Sequence, residues 1–236
     1  MNLNTIKNIS SELFQALREQ ETVLPLTDRY PEIEINDAYQ ISRNFLSLRE
    51  SDGEKIIGKK IGVTSPVVQE MLGVNQPDFG FLTNVMEVKN KAKFSISKSL
   101  IQPRAEAEIA FVLKDDLHGP GITKEDVILA TEKILPCFEI VDSRIESWKI
   151  KIQDTIADNA SCGIFVLGED SCAPDKFSMD ELEVIVYKNG EFLSTGKGSA
   201  VQGHPAEAVA WLANTRGEYD IPLLKGEFIL SGSLVP

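Results

Sequence analysis

Hydrophobic positions in the first fifty residues follow the three-to-four spacing of α-helices. One apolar stripe predicts an amphipathic helix over about residues 4–20, with Ile6, Ile9, Leu13 and Leu17 on the buried face. Pro25 and Pro31 interrupt this pattern, and Asn36 is a candidate cap for a second helix. The second apolar stripe consists of Ala38, Ile41, Phe45 and Leu48. The spacing therefore predicts a helical lobe over residues 1–54.

After this lobe the pattern changes to short apolar runs that are typical of strands. These runs are KIIGKKIGVT (55–64), AEAEIAFVL (105–113), CFEIVDS (137–143), GIFVLG (163–168), LEVIVYK (182–188) and EFIL (227–230). Asn189-Gly190 predicts a tight hairpin turn. Two helices interrupt the strands: one is capped by Thr123 and runs to about Ile134, and the other starts at Pro205. Few crossover helices favour a largely antiparallel α+β fold for residues 55–236.

Charge and cysteine usage narrow the classes of function. The 236 residues carry a formal net charge of −12, which disfavours nucleic acid or an anionic membrane as a partner. An anionic substrate stays compatible, because one divalent cation reverses the local field. There is no apolar run of membrane-spanning length and no secretion signal. Three cysteines without a CxxC pair predict no disulfide framework and a reducing, cytoplasmic location, with Cys137 and Cys162 as buried, inert thiols.

Three acidic residues form the candidate metal site. On a strand, Glu106 and Glu108 point to the same face, with their Cα atoms about 6–7 Å apart. Glu139 lies inside the apolar run ILPCFEIV, where an ionised carboxylate is costly unless it is paired or metal-bound. Three carboxylates suit Mg²⁺ or Mn²⁺. Spacing alone nevertheless favours the plainer interpretation, in which these glutamates are half-solvated and neutralised by lysines.

Other polar positions are ambiguous when each is taken alone. Lys60 lies in a strand that ends in a small polar loop, where it could orient a carboxylate or face solvent. Asp78 lies in QPDFG, which is typical of a Pro-Asp turn. Ser161 ends the polar run DNAS, which is either a buried hydrogen-bonded network or an ordinary turn. His118 fits a surface turn and His204 a helix cap, so a histidine-based zinc site is excluded.

The order of these features along the chain is more informative than any of them alone. The informative stretches are PLTDRYPEIEINDAYQI (25–41), GKKIGVTSPVVQEMLGVNQPDFGFL (58–82), IQPRAEAEIAFVL (101–113), PCFEIVDSRIESWKIKIQDTIADNASCGIFVLG (136–168) and GKGSAVQGHPAEAVAWLAN (196–214). Together they resemble the 2-oxopent-4-enoate hydratase and 4-oxalocrotonate decarboxylase branch of the fumarylacetoacetase-like superfamily. The resemblance covers nearly the whole chain.

This resemblance implies a fold, a cofactor and a set of site residues. It implies a mixed β-roll with a small N-terminal helical lobe, and a divalent metal, Mg²⁺ or Mn²⁺, held by Glu106, Glu108 and Glu139. It places Lys60 and Asp78 in the active site and Ser161 near the substrate. It also implies a small 2-oxo acid substrate, a homo-oligomer and a possible complex with a related enzyme of the same pathway.

Two activities share the scaffold that the resemblance implies. One adds water to 2-hydroxypenta-2,4-dienoate to give 4-hydroxy-2-oxopentanoate in the meta-cleavage catabolism of aromatic compounds; the other decarboxylates 4-oxalocrotonate. The stretch RIESWKIKIQDTIADNASCG, with Trp148 and the pair Asp154-Thr155, is more similar to the hydratases. The sequence therefore predicts a metal-dependent hydro-lyase, with the decarboxylase as the alternative. In the hydratase, Lys60 is expected to orient the substrate carboxylate and assist proton transfer, and Asp78 to act as the base for water. These two roles could be exchanged.

The end of the chain raises a third possibility. The sequence stops at FILSGSLVP, whereas the resemblance implies that family members continue with more sheet. A missing strand would leave an open sheet edge and an incomplete pocket. An inactive homologue or a structural subunit is therefore a further alternative.

Overall fold

The computed structural model of the chain describes residues 1–235. The N-terminal lobe contains α1 (Leu3–Glu19), α2 (Leu26–Arg29) and α3 (Ile35–Ser51). Asn2 caps α1 by accepting a hydrogen bond from the backbone N–H of Thr5. The cap of α3 is Glu34 and not the predicted Asn36, because Glu34 and Asp37 exchange hydrogen bonds in a capping box.

Eight strands follow the lobe within the described residues. They are β1 (Ile56–Gly62), β2 (Asp78–Thr83), β3 (Pro103–Leu113), β4 (Thr131–Asp142), β5 (Cys162–Leu167), β6 (Glu183–Lys188), β7 (Glu191–Lys197) and β8 (Phe228–Leu230). The helices between them are α4 (Pro66–Leu72), α5 (Lys124–Ala130), α6 (Ile152–Ala157) and α7 (Pro205–Gly217). Of the helices that the structure describes, none is both long and apolar enough to cross a membrane.

Six of the strands form one sheet in the order β2-β1-β8-β3-β4-β5, in which only β1 and β8 run parallel. The sheet curls so that the segment after β2 reaches β5: the N–H of Phe165 donates to Met86 O (3.0 Å), and the N–H of Val88 donates to Phe165 O (2.9 Å). The predicted α+β fold, a mixed β-roll with an N-terminal helical lobe, is confirmed. The lobe boundary at residues 54 and 55 stays a prediction.

Strand periodicity sends alternate side chains to two different cores. The outer face of the sheet packs on α5 and α7; its members include Ile61, Phe79, Ile109, Phe111 and Ile229, with Val209 and Leu212 from α7. The inner face of the curl includes Leu82, Ala110, Cys137, Phe165 and Leu230. A third cluster joins α1 and α3 to Ile152 and Ile156 of α6, so the lobe is anchored to the β domain.

The predicted hairpin is confirmed by β6 and β7, and Asn189 and Gly190 both adopt positive φ, 54° and 84°. The helix capped by Thr123 does not extend to Ile134, so that prediction is wrong. This helix, α5, ends at Ala130, and Thr131 is extended. Pairing of Ile134 with Phe111 of β3 outweighs the local helical pattern.

The last described strand does not lie at a sheet edge. β8 pairs with β1 on one side and with β3 on the other, and the edge strands within residues 1–235 are β2 and β5. The prediction that family members continue with more sheet after FILSGSLVP stays a prediction.

A fully buried ion pair fixes the connection between β4 and β5. Arg144 Nε donates to Asp158 Oδ1 (2.5 Å), and both side chains have no exposed surface. The same guanidinium also donates to the carbonyls of Asp142, Cys162 (2.7 Å) and Asp158 (2.5 Å). Because the guanidinium bonds carbonyls on both strands, the pair sets how the chain enters the 159–161 turn.

Substitution of one partner should therefore be costly. We expect Asp158→Asn to lower the free energy of unfolding by about 3–5 kcal/mol, since it leaves the Arg144 charge buried and uncompensated. Urea denaturation with matched m-values measures this difference. The control is Lys91→Met, which removes the exposed Lys91–Glu169 pair (2.8 Å) and should cost less than about 1 kcal/mol. Equal losses for both variants would show that the buried pair has no special structural role.

Candidate active site and metal centre

The interior of the curl holds the polar side chains that the sequence singled out. Lys60 comes from β1, Asp78 from β2, Glu106 and Glu108 from β3, and Glu139 from β4. The register places Glu106 directly opposite Glu139 and places Asp78 opposite Gly62. Because their neighbours in sequence point to the outer core, all five side chains share the inner face.

The three glutamates form a compact cluster. One carboxylate oxygen from each of Glu106, Glu108 and Glu139 lies within 4.8 Å of the other two. Glu108 and Glu139 are only 4% and 1% exposed, and Glu106 is partly exposed. The interpretation that spacing alone favoured, solvated glutamates neutralised by several lysines, is therefore wrong. Helices α5 and α7 cover the outer face of the sheet, and the curl encloses its inner face.

The positive charge in this interior comes from Lys60. Its Nζ lies 3.4 Å from Glu139 Oε2, and its side chain is 3% exposed. Burial lowers the pKa of Lys60, but the surrounding acidic groups, Glu139 first, outweigh burial and raise the pKa above its ordinary value. Lys60 is therefore an ammonium group that compensates part of the negative charge.

The carboxylates are deficient in partners. Burial raises the pKa of Glu108 well above its ordinary value, with the charges of Glu139 and Glu106 acting in the same direction. Burial also raises the pKa of Glu139 to about 7, although Lys60 opposes it. Among residues 1–235, Glu108 Oε1 has no hydrogen-bond partner, and Glu139 Oε2 has none apart from its ion pair with Lys60 at 3.4 Å. Buried, unpartnered carboxylate oxygens at this spacing fit a hard divalent cation, so the three glutamates can bind one.

Asp78 lies beside this cluster and is not a turn residue. It is 1% exposed and is the first residue of a fully buried strand, so the predicted Pro-Asp turn is wrong. Its Oδ2 accepts a hydrogen bond from Thr155 Oγ1 (3.1 Å), whereas its Oδ1 has no partner within the described residues. A Cβ at Gly62 would lie 2.4 Å from Asp78 Oδ1 and 3.2 Å from Lys60 Nζ. Glycine at position 62 therefore makes room for both groups.

The chain is similar in sequence to known proteins, which show the family to which it belongs. Residues 66–235 match the family model described as fumarylacetoacetate (FAA) hydrolase C-terminal. The chain is 59% identical to 2-hydroxyhexa-2,4-dienoate hydratase of Comamonas testosteroni, over 98% of this chain and 88% of that relative. It is 55% identical to 2-hydroxypent-2,4-dienoate hydratase of Pseudomonas putida, over 94% of this chain and 100% of that relative.

The chain belongs to the fumarylacetoacetate hydrolase family. The predicted family resemblance is thereby confirmed. A solved structure of 4-oxalocrotonate decarboxylase from Pseudomonas putida G7, complexed with magnesium and adipate, has a TM-score of 0.96 and 34% identity. The match covers 100% of this chain and 89% of that chain. A second structure of that decarboxylase contains calcium and acetate (TM-score 0.94, 33% identity, coverage 100% and 89%).

Ser161 of this family member ends the turn that precedes β5, next to Cys162. Asn159, Ala160 and Ser161 all adopt positive φ, between 51° and 56°, and form a tight left-handed turn. The Ser161 hydroxyl is buried and donates to Asp158 Oδ2 (3.4 Å). The polar run DNAS is thus a buried network rather than an ordinary turn, and the proximity of Ser161 to a substrate stays a prediction.

Three residues of the site were not predicted from the sequence. Thr155 holds Asp78, the backbone N–H of Gly232 donates to Glu108 Oε2 (2.8 Å), and Cys162 Sγ donates to Glu139 Oε1 (3.4 Å). Gly232 has φ +110°, which L side chains rarely adopt. The glycine in ILSGS was the available signal, but its partner is 124 residues away in the chain.

The two histidines lie where the sequence placed them. The His204 Nδ1 caps α7 by accepting a hydrogen bond from the N–H of Ala206 (3.1 Å). The side chain of His118 is 65% exposed. Both are outside the carboxylate cluster, which is consistent with oxygen ligands alone.

The raised carboxylate pKa values predict an unusual pH dependence for the metal-free protein. The folded state holds a proton on Glu139 up to about pH 7, whereas an ordinary glutamate releases it near 4.5. The native state therefore binds more protons in this window, and stability should fall as the pH rises from about 4.5 to 7. Thermal melts in the presence of EDTA from pH 5 to 8 measure the slope.

Variants isolate the contribution of the cluster. Glu139→Gln should flatten the fall in Tm, whereas Glu191→Gln, at an exposed position outside the cluster, should leave it unchanged. Addition of Mg²⁺ should raise the Tm more at pH 7.5 than at pH 5, because protons compete with the cation. Identical slopes for both variants would contradict the assignment of the buried charge to Glu139.

Proposed function

We propose that this chain is a divalent-metal-dependent hydratase that converts 2-hydroxypenta-2,4-dienoate to 4-hydroxy-2-oxopentanoate in the meta-cleavage catabolism of aromatic compounds. The observation that carries the proposal is the cluster of Glu106, Glu108 and Glu139, with unpartnered oxygens, beside Lys60 and Asp78. The relatives with 59% and 55% identity are hydratases of 2-hydroxydienoates, which supports the substrate class.

The metal ligands in this proposal are Glu106, Glu108 and Glu139, and the cation is Mg²⁺ or Mn²⁺. Oxygen-only ligands exclude preference for a soft metal, and a structural neighbour is complexed with magnesium. When bound, the cation would supply Lewis-acid polarisation of the 2-oxo group of the substrate. The remaining chemistry consists of proton transfers and the orientation of the substrate carboxylate. Side chains of this protein carry out both.

The reaction needs a proton gained at each of two carbons, C5 and C3, and a proton lost from each of two oxygens, those of the enol hydroxyl and of water. The enol first loses its hydroxyl proton and gains a proton at C5, which gives the 2-oxo-3-ene acid. The oxygen of water then adds at C4 and a proton is added at C3. Each transfer requires an acid or base within hydrogen-bond reach and is typically worth about 10²–10⁴-fold in rate.

We assign these transfers to Lys60 and Asp78. Lys60 is an ammonium held 3.4 Å from Glu139, and we assign it to the substrate carboxylate and to proton delivery. Asp78 has one oxygen fixed by Thr155 and one without a partner, and we assign it as the base for water. The two roles could be exchanged. Ser161 is assigned to substrate binding at the neighbouring turn.

Sequence identity favours hydration over decarboxylation. The fold is shared with 4-oxalocrotonate decarboxylase at a TM-score of 0.96, so geometry at this level does not separate the activities. The identity is 34% to that decarboxylase and 59% and 55% to the hydratases. An inactive or structural homologue is the remaining alternative. We also propose a cytoplasmic homo-oligomer that can associate with a related pathway enzyme.

A direct assay distinguishes the activities. With Mg²⁺ or Mn²⁺ we expect consumption of 2-hydroxypenta-2,4-dienoate without release of CO₂. The loss of dienol absorbance measures this consumption. 2-Hydroxyhexa-2,4-dienoate tests the length of the substrate tail, and 4-oxalocrotonate tests decarboxylation. Release of CO₂ from the diacid alone would move the assignment to the decarboxylase. A metal-loaded protein that is silent on all three substrates would favour the inactive homologue.

Two substitutions separate the role of Lys60 from metal binding. Lys60→Met should lower turnover more than about tenfold while metal is still bound, because it removes the proton-transferring and orienting group. Glu106→Gln should weaken metal binding and abolish activity. Metal content by elemental analysis and steady-state kinetics measure both effects. Unchanged kinetics in Lys60→Met would remove this residue from the mechanism.

A further inference from the structure

A second pocket lies on the outer side of β2, away from the carboxylate cluster. It has a volume of about 680 Å³ and is bounded by α3, β2 and α7. Volumes of about 300–1,000 Å³ are typical of sites for small molecules. The inner-face residues Lys60, Glu106, Glu108 and Glu139 do not line it, so it is a separate cavity.

The pocket contains a buried cation that lacks a counter-ion among residues 1–235. Arg216 of α7 is 8% exposed, lines the pocket and has no hydrogen-bond partner for its Nε within residues 1–235. Its guanidinium carbon lies 5.7 Å and 5.4 Å from the ring centres of Phe79 and Phe81. These rings provide a favourable face for the cation, but they supply no hydrogen-bond acceptor.

The nearest charges do not neutralise Arg216. Glu227 is already engaged in a buried ion pair with Lys59 and accepts the N–H of Leu224 (2.9 Å). Burial lowers the pKa of Arg216, Glu227 opposes this, and the charge of Arg43 on α3 lowers it further. Arg43 also lines the pocket. Arg43 is exposed and Arg216 is buried, so an anion in the pocket would meet one hydrated and one desolvated guanidinium group.

The walls of the pocket favour a flat apolar body attached to that anion. Tyr39 stacks on Phe79 with ring centres 4.8 Å apart, and Trp211 lines the pocket from α7. The acidic lining residues Glu50 and Glu218 are exposed, so their charges stay hydrated at the rim whereas that of Arg216 is desolvated. A guanidinium presents parallel N–H donors that match the two oxygens of a carboxylate.

We propose that this pocket is a binding site for a small aromatic carboxylate, with Arg216 as the primary anchor and Arg43 as the second cation. The carboxylate accepts hydrogen bonds from the two guanidinium groups, and the ring lies between the aromatic walls. The site does not depend on the proposed hydratase activity, because none of its residues belongs to the metal cluster.

Tryptophan fluorescence tests the proposal on the full chain with Mg²⁺ present. The Trp148→Phe background leaves Trp211 as the reporter within the pocket. We expect saturable quenching by benzoate with a Kd below about 1 mM. Benzamide, its neutral isostere, should bind at least about tenfold more weakly, since charge-assisted hydrogen bonds are lost. Absence of saturable quenching, or equal affinity for the two probes, would overturn the proposal.

Variants locate the bound probe. Arg216→Met keeps the length of the side chain and should weaken benzoate binding about ten- to hundredfold, and the exposed variant Arg43→Gln should weaken it less. Glu50→Gln at the rim should not weaken it. Benzoate bound at the metal centre instead would be lost in Glu106→Gln and retained in Arg216→Met, which would refute the site.

Stability and mass complete the test. Because Arg216 lacks a counter-ion, ligand-free Arg216→Met should melt at the same temperature as the parent or higher. A large fall in its Tm would assign Arg216 a structural role and contradict the proposal. A change in oligomeric mass in Arg216→Met with unaltered benzoate affinity would assign the pocket to another protein chain rather than to a small molecule.

Discussion

Mutual repulsion among buried carboxylates is the constraint on which the interior of this protein depends. Four carboxylates, those of Asp78, Glu106, Glu108 and Glu139, share the inner face of the curled sheet with the ammonium of Lys60. The raised carboxylate pKa values and the unpartnered oxygens both reflect a shortage of positive charge around these carboxylates. A divalent cation removes the deficit at once, so the folded chain is already organised around a charge that it does not itself supply.

Two residues of α6 bind parts of the chain that are distant in sequence, and these contacts hold the lobe and Asp78 in place. Asp154 on this helix accepts hydrogen bonds from the N–H (3.1 Å) and the hydroxyl (2.8 Å) of Thr27, which fastens the helical lobe to the β domain. The next residue, Thr155, holds Asp78. Docking of the lobe and orientation of the candidate base therefore rest on consecutive residues.

Local periodicity was sufficient to predict the strands and the shared face of Glu106 and Glu108, because both depend only on alternation along one strand. The position of Asp78 was not predictable in this way, since a Pro-Asp pair is typical of turns and only pairing of β2 with β1 makes it a buried strand residue. Gly232 and Thr155 were missed for the same reason, as their partners lie 124 and 77 residues away. The metal assignment came from resemblance, and the long-range geometry explains why that resemblance was a better guide than spacing.

The carboxylate cluster and the Arg216 pocket lie on opposite faces of one strand, β2. Asp78 points into the curl and Phe79 points outward, where it stacks on Tyr39 and underlies Arg216. The charge of Asp78 is close enough to contribute, after burial, to the raised pKa of Tyr39. A carboxylate that settles between Arg216 and the aromatic walls would press on the residue next to the candidate base.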